Sequence, residues 1–128
     1  MQIPSEFDEI RPFMPEELPA AYAQLIADPQ FRVAMSYVFP EMPFEVLAEK
    51  MVTCKTGLDF EKMFCYPFLK DLPIKYGKGM EMDASAIDNQ RRYTFVTNHR
   101  DIVLDSGLLS VLLLDSGFQT TLEIAIGD

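Results

Sequence analysis

The chain has few of the features that bind polyanions or cross membranes. It has 11 basic against 20 acidic residues in 128, a net charge of −9 with its single His neutral. This excess of carboxylates argues against nucleic acid as a partner, because nucleic-acid binding depends on basic surfaces that meet phosphate groups. The longest apolar stretch, residues 108–114, is interrupted by Ser110. It is much shorter than the about 20 apolar residues of a membrane-spanning helix.

Secretion signals and metal-ligand sets are also missing. Residues 1–9 carry three acidic and no basic side chains, the reverse of a secretory leader. Cys54 and Cys65 are the only cysteines and His99 is the only histidine, so Cys and His alone cannot supply four zinc ligands. We therefore expect reduced, buried thiols in an intracellular protein. We also expect neither a metal nor a bound cofactor.

What the chain does contain is enough apolar material for a packed core, with 48% hydrophobic and 12% aromatic residues. Between the prolines of residues 1–80, the apolar residues recur at helical spacing. The first predicted helix covers residues 16–28. The second begins at Pro29, with Asp28 as its N-cap, and runs to Val38, and the third contains Phe44 and Met51. A Thr56–Asp59 capping box begins the fourth, which bends or ends near Pro67.

The pattern changes after a polar connector at residues 75–92. Residues 93–97 are aromatic and β-branched and predict a buried strand, and the alternation in residues 121–126 predicts a second. Residues 104–114 predict a helix with Asp101 or Asp105 as its N-cap and Gly117 as its stop. The predicted fold is therefore α+β and mainly helical, with an N-terminal helical region at residues 1–80 and one βαβ unit at residues 81–128.

A single βαβ unit makes an incomplete sheet. Parallel strands normally belong to sheets that are covered on both faces, and two strands alone have little independent stability. The sequence ends two residues after the second predicted strand. We therefore expect the 128 residues to be the front part of a longer chain, with the remainder of that chain as a partner.

The loop after the first predicted strand holds the residues that are best suited to chemistry. His99 is flanked by Arg100, Asp101 and Asp105. A His next to a carboxylate can act as a general base near neutral pH, because the carboxylate fixes its tautomer and stabilises the imidazolium. No Gly-x-Ser-x-Gly nucleophile is present, so the base would act on a hydroxyl of the substrate. The His-Arg-Asp string also occurs in protein kinases, but Ser106 stands where they need a magnesium-binding Asn.

The segment from Asn98-His99 to Asp105, followed by Leu108-Leu109, resembles the first signature of the glycerolipid acyltransferases, and especially a bacterial branch of that superfamily. The resemblance implies transfer of an acyl group to a hydroxyl of glycerol phosphate or lysophosphatidate in phospholipid synthesis. The donor and co-substrate would be a thioester of coenzyme A or acyl carrier protein.

The resemblance also implies the roles of the catalytic residues. His99 would be the general base and Asp105 would orient it. The family has four residues between its His and Asp, whereas this sequence has five between His99 and Asp105. Either the loop bulges by one residue, or Asp101 takes the role of the acid. We favour Asp105 because its place at the head of the predicted helix matches that of the family's Asp.

The family's later signatures, which bind phosphate, have no counterpart in these residues, so we expect the 128 residues alone to be almost inactive. The lipid substrates imply a cytoplasmic protein that is either free or peripheral to the inner membrane. The alternative is a non-enzymatic helical module that binds a protein partner or lipid through a Met- and Phe-rich face. A His99 that opens to a groove beside a carboxylate would favour the enzyme.

Overall fold

The computed structural model describes residues 4–98 and 100–124. They are mainly helical and belong to two compact units, Met1–Phe60 and Glu61–Asp128. The predicted domain boundary near residue 80 lies inside the second unit, and the division into functional domains at that point stays a prediction. No helix in the described ranges combines the length and the apolar content needed to cross a membrane.

In residues 4–60, the described part of the first unit, the chain forms a 3₁₀ turn, Ser5–Phe7, and four α-helices: α1 (Leu18–Ala27), α2 (Pro29–Val38), α3 (Phe44–Met51) and α4 (Gly57–Phe60). Its core is made of side chains from α1 and α3 and the loop after α3. These are Leu18, Tyr22, Phe44, Leu47, Met51 and Cys54. Phe44 and Met51, which mark the predicted third helix, are therefore core residues of this unit.

Local capping signals begin two of these helices as predicted. The Asp28 carboxylate accepts the N–H of Gln30 at 2.8 Å, and Pro29 is the first residue of α2. Before α4, the Asp59 N–H donates to Thr56 Oγ1 at 3.1 Å and the Thr56 N–H donates to Asp59 Oδ2 at 2.9 Å. This reciprocal pair is a capping box, so both predicted helix starts are confirmed.

The second unit contains a π-helical segment, Glu61–Cys65, followed by α5 (Tyr66–Tyr76) and, after a long irregular connection, α6 (Leu104–Asp115). The geometry changes just before Pro67, which has no N–H and crowds the preceding turn. Helix α6 ends at Asp115, and Gly117, the predicted stop, follows its C-cap with a φ of 88° in the left-handed region.

Helices α5 and α6 approach each other closely at Gly107. A Cβ atom at this position would lie only 2.8 Å from Leu69 Cδ1. The buried apolar side chains described in the second unit are Phe64, Leu69, Val111 and Leu113. Gly107 therefore allows the two helices to share a small core.

A polar cluster joins the same two helices elsewhere along their length. Lys70 Nζ donates to the Tyr66 hydroxyl oxygen at 2.6 Å and to Asp115 Oδ1 at 3.1 Å, and the Tyr66 hydroxyl also donates to Asp115. The hydrogen bond from Tyr66, with that from Lys70, lowers the pKa of Asp115. Hydrogen bonds to Tyr66 and Asp115 raise the pKa of Lys70.

The predicted βαβ unit, and with it the α+β fold class, is wrong. Residues 93–98 and 121–124 are irregular, and the described ranges contain no strand; residues 125–126 of the second predicted strand lie outside them. The helix between the predicted strands is present. Residues 93–98 are exposed rather than buried, and Val96 has 93% of its surface accessible.

The physical reason is that β propensity expresses packing against neighbouring strands more than a preference of the backbone itself. Here the Tyr93 ring packs against Phe118 and Phe95, with ring centroids 6.3 and 6.2 Å away. Its hydroxyl oxygen accepts the N–H of Asp88 at 2.8 Å. The aromatic residues that predict a strand therefore pack against other aromatic side chains and do not pair with a neighbouring strand.

Candidate functional site

The candidate site is the loop that leads into α6. His99 itself lies outside the described residues, so its proposed role stays a prediction. The residues that follow it are described. The backbone N–H groups of Arg100 and Asp101 both donate to Asp105 Oδ2, at 2.6 and 2.9 Å. Asp105 is half-buried at the second position of α6, and its carboxylate holds the backbone of the loop.

Asp101 performs the capping role that the sequence left open between two acids. Its Oδ1 accepts the N–H groups of Val103 at 3.0 Å and Leu104 at 2.8 Å, and its carbonyl oxygen accepts the N–H of Asp105 at 3.3 Å. Val103 immediately precedes α6 and Leu104 is its first residue, so their N–H groups have no carbonyl partner within the helix. Asp101 is therefore the acid that caps α6.

The two acids hold each other in place through the backbone. Asp105 accepts the Asp101 N–H through its side chain, and Asp101 accepts the Asp105 N–H through its carbonyl. Both carboxylates lie at the amino end of α6, where the helix dipole favours negative charge. The loop is consequently closed into a turn, and Arg100 is exposed on it.

A groove of about 300 Å³ lies beside this turn. Its volume is at the low end of the about 300–1,000 Å³ of ligand pockets. The groove lining includes two residues from the end of the candidate loop, Ile102 and Val103, and two from the start of α6, Ser106 and Gly107. Other apolar lining residues come from α5, α6 and the segment after α6: Leu69, Val111, Leu114, Leu122 and Ile124. The site thus combines a capped polar turn with an apolar groove.

The polar groups in the groove are mostly engaged with one another. The Thr121 hydroxyl donates to Glu61, and Ser110 Oγ accepts the N–H of Leu122 at 3.4 Å. Burial, with a smaller contribution from the nearby charge of Glu61, raises the pKa of the Cys65 thiol. A thiol with a raised pKa stays protonated at neutral pH and is a poor nucleophile. Neither cysteine is in a disulfide, as expected; Cys54 is buried, whereas Cys65 is only half-buried.

Sequence reasoning finds the loop but not the groove. The lining residues from α5 and from residues 121–124 come from distant parts of the sequence. One signal was available, since Ser106, Gly107 and Ser110 are small residues at helical spacing on α6. Small side chains on one face of a helix indicate where another element or a ligand comes close.

Comparison with known proteins adds no assignment. No protein-family model matches the chain, and no curated protein or solved structure is significantly similar to it. The case for a function therefore depends on the residues of the site and their geometry.

Proposed function

We propose that the chain belongs to an acyltransferase that moves an acyl group from a thioester of coenzyme A or acyl carrier protein to a hydroxyl of glycerol phosphate or lysophosphatidate. His99 is the general base of this reaction and Asp105 is the carboxylate that orients it. The proposal does not depend on the βαβ unit, since the loop and α6 are formed without a sheet.

The observation that carries the proposal is the hydrogen bond from the Arg100 N–H to Asp105 Oδ2, at 2.6 Å. This amide is the one that follows His99 along the chain. The bond brings the carboxylate five residues back to the backbone beside the only His of the sequence. The extra residue between His99 and Asp105 is therefore compatible with the His–Asp pair that the resemblance implies.

The groove supports the class of substrate. Its lining is mostly apolar, and it begins at Ile102 and Val103, which directly follow the candidate loop. Both of these side chains are also largely exposed, at 63% and 65%. An apolar groove that adjoins a polar turn fits a molecule with a hydrocarbon chain and a polar reacting group. An acyl thioester and a lysophospholipid both have this construction.

The proposed chemistry needs one proton transfer at His99. The imidazole takes the proton of the acceptor hydroxyl as the oxygen attacks the thioester carbonyl carbon. The carbon–sulfur bond then breaks, and the departing thiolate takes up the proton. The negative charge of Asp105 stabilises the imidazolium between these two steps.

The same proposal includes a location. Lipid acceptors are held in membranes, and the exposed apolar side chains next to the loop would allow peripheral contact with the cytoplasmic face of the inner membrane. The net charge of the second unit does not help this contact, because the unit has seven basic and ten acidic residues. Apolar contact would therefore have to supply the binding.

The test is an acyl-transfer assay on the native protein, isolated from its own cells through an amino-terminal tag. Acyl coenzyme A or acyl carrier protein is supplied with glycerol 3-phosphate or lysophosphatidate, and both thiol release and the acylated product are measured. His99→Ala should lower turnover by about 10²- to 10⁴-fold, the usual contribution of a general base.

Lys78→Ala provides the matched control, because Lys78 is exposed in the irregular connection of the same unit. This variant should keep full turnover. Absence of product with every donor and acceptor, or full turnover by His99→Ala, would refute the proposal.

A second function has one observation in its favour. In the first unit, Ile10, Phe13 and Met14 are exposed, at 78%, 67% and 40%. These side chains give the chain an apolar surface that could bind a protein partner or lipid as a non-enzymatic helical module. Sedimentation with phospholipid vesicles tests this alternative for lipid. It predicts binding that Ile10→Ser with Phe13→Ser abolishes and that His99→Ala leaves unchanged.

A further inference from the structure

The two acids of the loop, which the sequence offers as alternative partners of His99 with Asp105 preferred, have different hydrogen-bond partners. Asp101 Oδ1 is directed at the N–H groups of Val103 and Leu104, at the start of α6. Asp105 Oδ2 is directed the other way, at the N–H groups of Arg100 and Asp101. One carboxylate therefore faces the helix, and the other faces the backbone that follows His99.

We infer that Asp101 is a positioning residue for the acyl transfer: it caps α6 and holds Asp105 in place, while Asp105 carries the charge that acts on His99. The inference rests on the proposed function. It also explains how the loop accommodates the fifth residue between His99 and Asp105. The Asp101 N–H donates to the Asp105 side chain, and the Asp101 carbonyl oxygen accepts the Asp105 N–H.

The division of roles predicts which property of Asp101 matters. A cap needs an oxygen that accepts amide N–H groups, and Asn supplies one about as well as Asp does. A partner of the imidazolium needs a negative charge, which Asn lacks. Asp101→Asn therefore separates the two roles, because it keeps the cap and removes the charge.

The experiment compares Asp101→Asn, Asp101→Ala and Asp105→Asn in the native protein with the acyl-transfer assay. Asp101→Asn should retain most of the turnover that Asp101→Ala loses. Asp101→Ala should lower kcat by up to about 100-fold, because the loop loses the geometry that the reaction needs. Asp105→Asn should lower turnover although its amide oxygen can still accept the loop N–H groups.

The pH dependence of kcat/KM supplies a readout that a merely structural role would not move. A general base must be neutral to accept a proton, so activity rises with pH as the imidazole deprotonates, and a carboxylate close to an imidazole favours the protonated form. Asp105→Asn should move this rise to lower pH. Asp101→Asn should move it much less. Arg100 is present in all variants and does not distinguish between them.

The outcomes separate the inference from the proposal beneath it. One outcome would overturn the inference alone: turnover depends on His99, Asp101→Asn lowers it as strongly as Asp101→Ala does, and Asp101→Asn shifts the pH profile more than Asp105→Asn does. Activity that does not need His99, or no activity at all, would overturn the proposed function and the inference with it. If Asp101→Ala does not fold, Asp101→Asn and Asp105→Asn still decide between the two acids.

Discussion

The two units of the molecule use their polar side chains differently. In the first unit, carboxylates cap α2 and α4 or pair with arginine, as in the bond from Arg32 to Glu45 at 2.9 Å. In the second unit, Asp101 and Asp105 order a loop that adjoins an apolar groove. The first unit also has a greater excess of acid, with ten acidic and four basic residues, against ten and seven in the second.

This difference teaches where changes should affect stability and where they should affect chemistry. Polar groups that only cap helices can be replaced at the cost of stability. Polar groups that order a loop around a candidate base should change turnover more than unfolding. Substitutions in the two units can therefore break or sharpen the comparison.

The largest expected effect on stability is in the core of the first unit. Met51 is fully buried on α3. Met51→Ala should lower the free energy of unfolding by about 2–5 kcal/mol, because it leaves a cavity and removes apolar contacts. Chemical denaturation followed by circular dichroism measures the loss. Val46→Ala on the same helix is the control, since Val46 is 40% exposed and should change stability much less.

The next effect concerns the close contact in the second unit. Gly107→Val should destabilise by about 1–3 kcal/mol, because the added atoms displace the Leu69 side chain and overpack the core. Gly57→Ala, in the first unit, is the matched control because nothing lies within 4 Å of a Cβ atom there. It should be neutral or slightly stabilising. Equal losses from both changes, measured by thermal unfolding, would contradict the described packing of α5 on α6.

A smaller effect is expected at the capping box of α4. Thr56→Ala removes the oxygen that accepts the Asp59 N–H and should cost about 1 kcal/mol of stability. Thr56→Ser keeps the oxygen and should recover most of the loss. Urea denaturation of both variants measures the difference. Turnover of the folded protein should be the same in both, since the box belongs to the first unit.

The smallest effect is a pH dependence at Glu17. A bidentate hydrogen bond from Arg11, together with the Met14 N–H, lowers the pKa of Glu17 from 4.5 to about 2. Because the pKa is lowered in the folded state, this stabilisation is present above pH 4.5 and is lost as the pH falls towards about 2.

The effect should be small because the pair is at the surface, where solvent screens it. Glu17→Gln should reduce the fall in melting temperature between neutral and acid pH. Glu16→Gln, at the exposed neighbouring position, should leave the fall nearly unchanged. An unchanged fall in Glu17→Gln would mean that other carboxylates account for the acid sensitivity.

Sequence reasoning predicts those parts of the fold that local interactions specify. Asp28 followed by Pro29, and Thr56 followed by Asp59, lie within a few residues of the amides they cap, so these helix starts can be inferred from spacing alone. Residues 93–97 could not be predicted this way. Their conformation depends on Phe118 and Asp88, and on whether a neighbouring strand is present to pair with them.

In the candidate site, too, the features set by residues close in sequence could be predicted, and those set by distant residues could not. The acids of the loop can be selected from the sequence because they lie within a few residues of His99. Which of them caps α6 could not be inferred from the sequence, since it depends on which amide groups each carboxylate accepts. The groove depends on Leu69 and Leu122, which are far apart in the sequence and meet only through the packing of the second unit.

The central claim is that the carboxylate of Asp105 acts in the chemistry. Its most direct test compares two variants, Asp105→Asn and Met51→Ala, by measuring the turnover per folded molecule and the melting temperature of each. Asp105→Asn should lose turnover by about 10²-fold, at the low end of what general-base catalysis contributes, while it melts close to the unaltered protein. Met51→Ala should melt much earlier and retain its turnover where it is folded. Full turnover by Asp105→Asn would contradict the assignment of the chemistry to this loop.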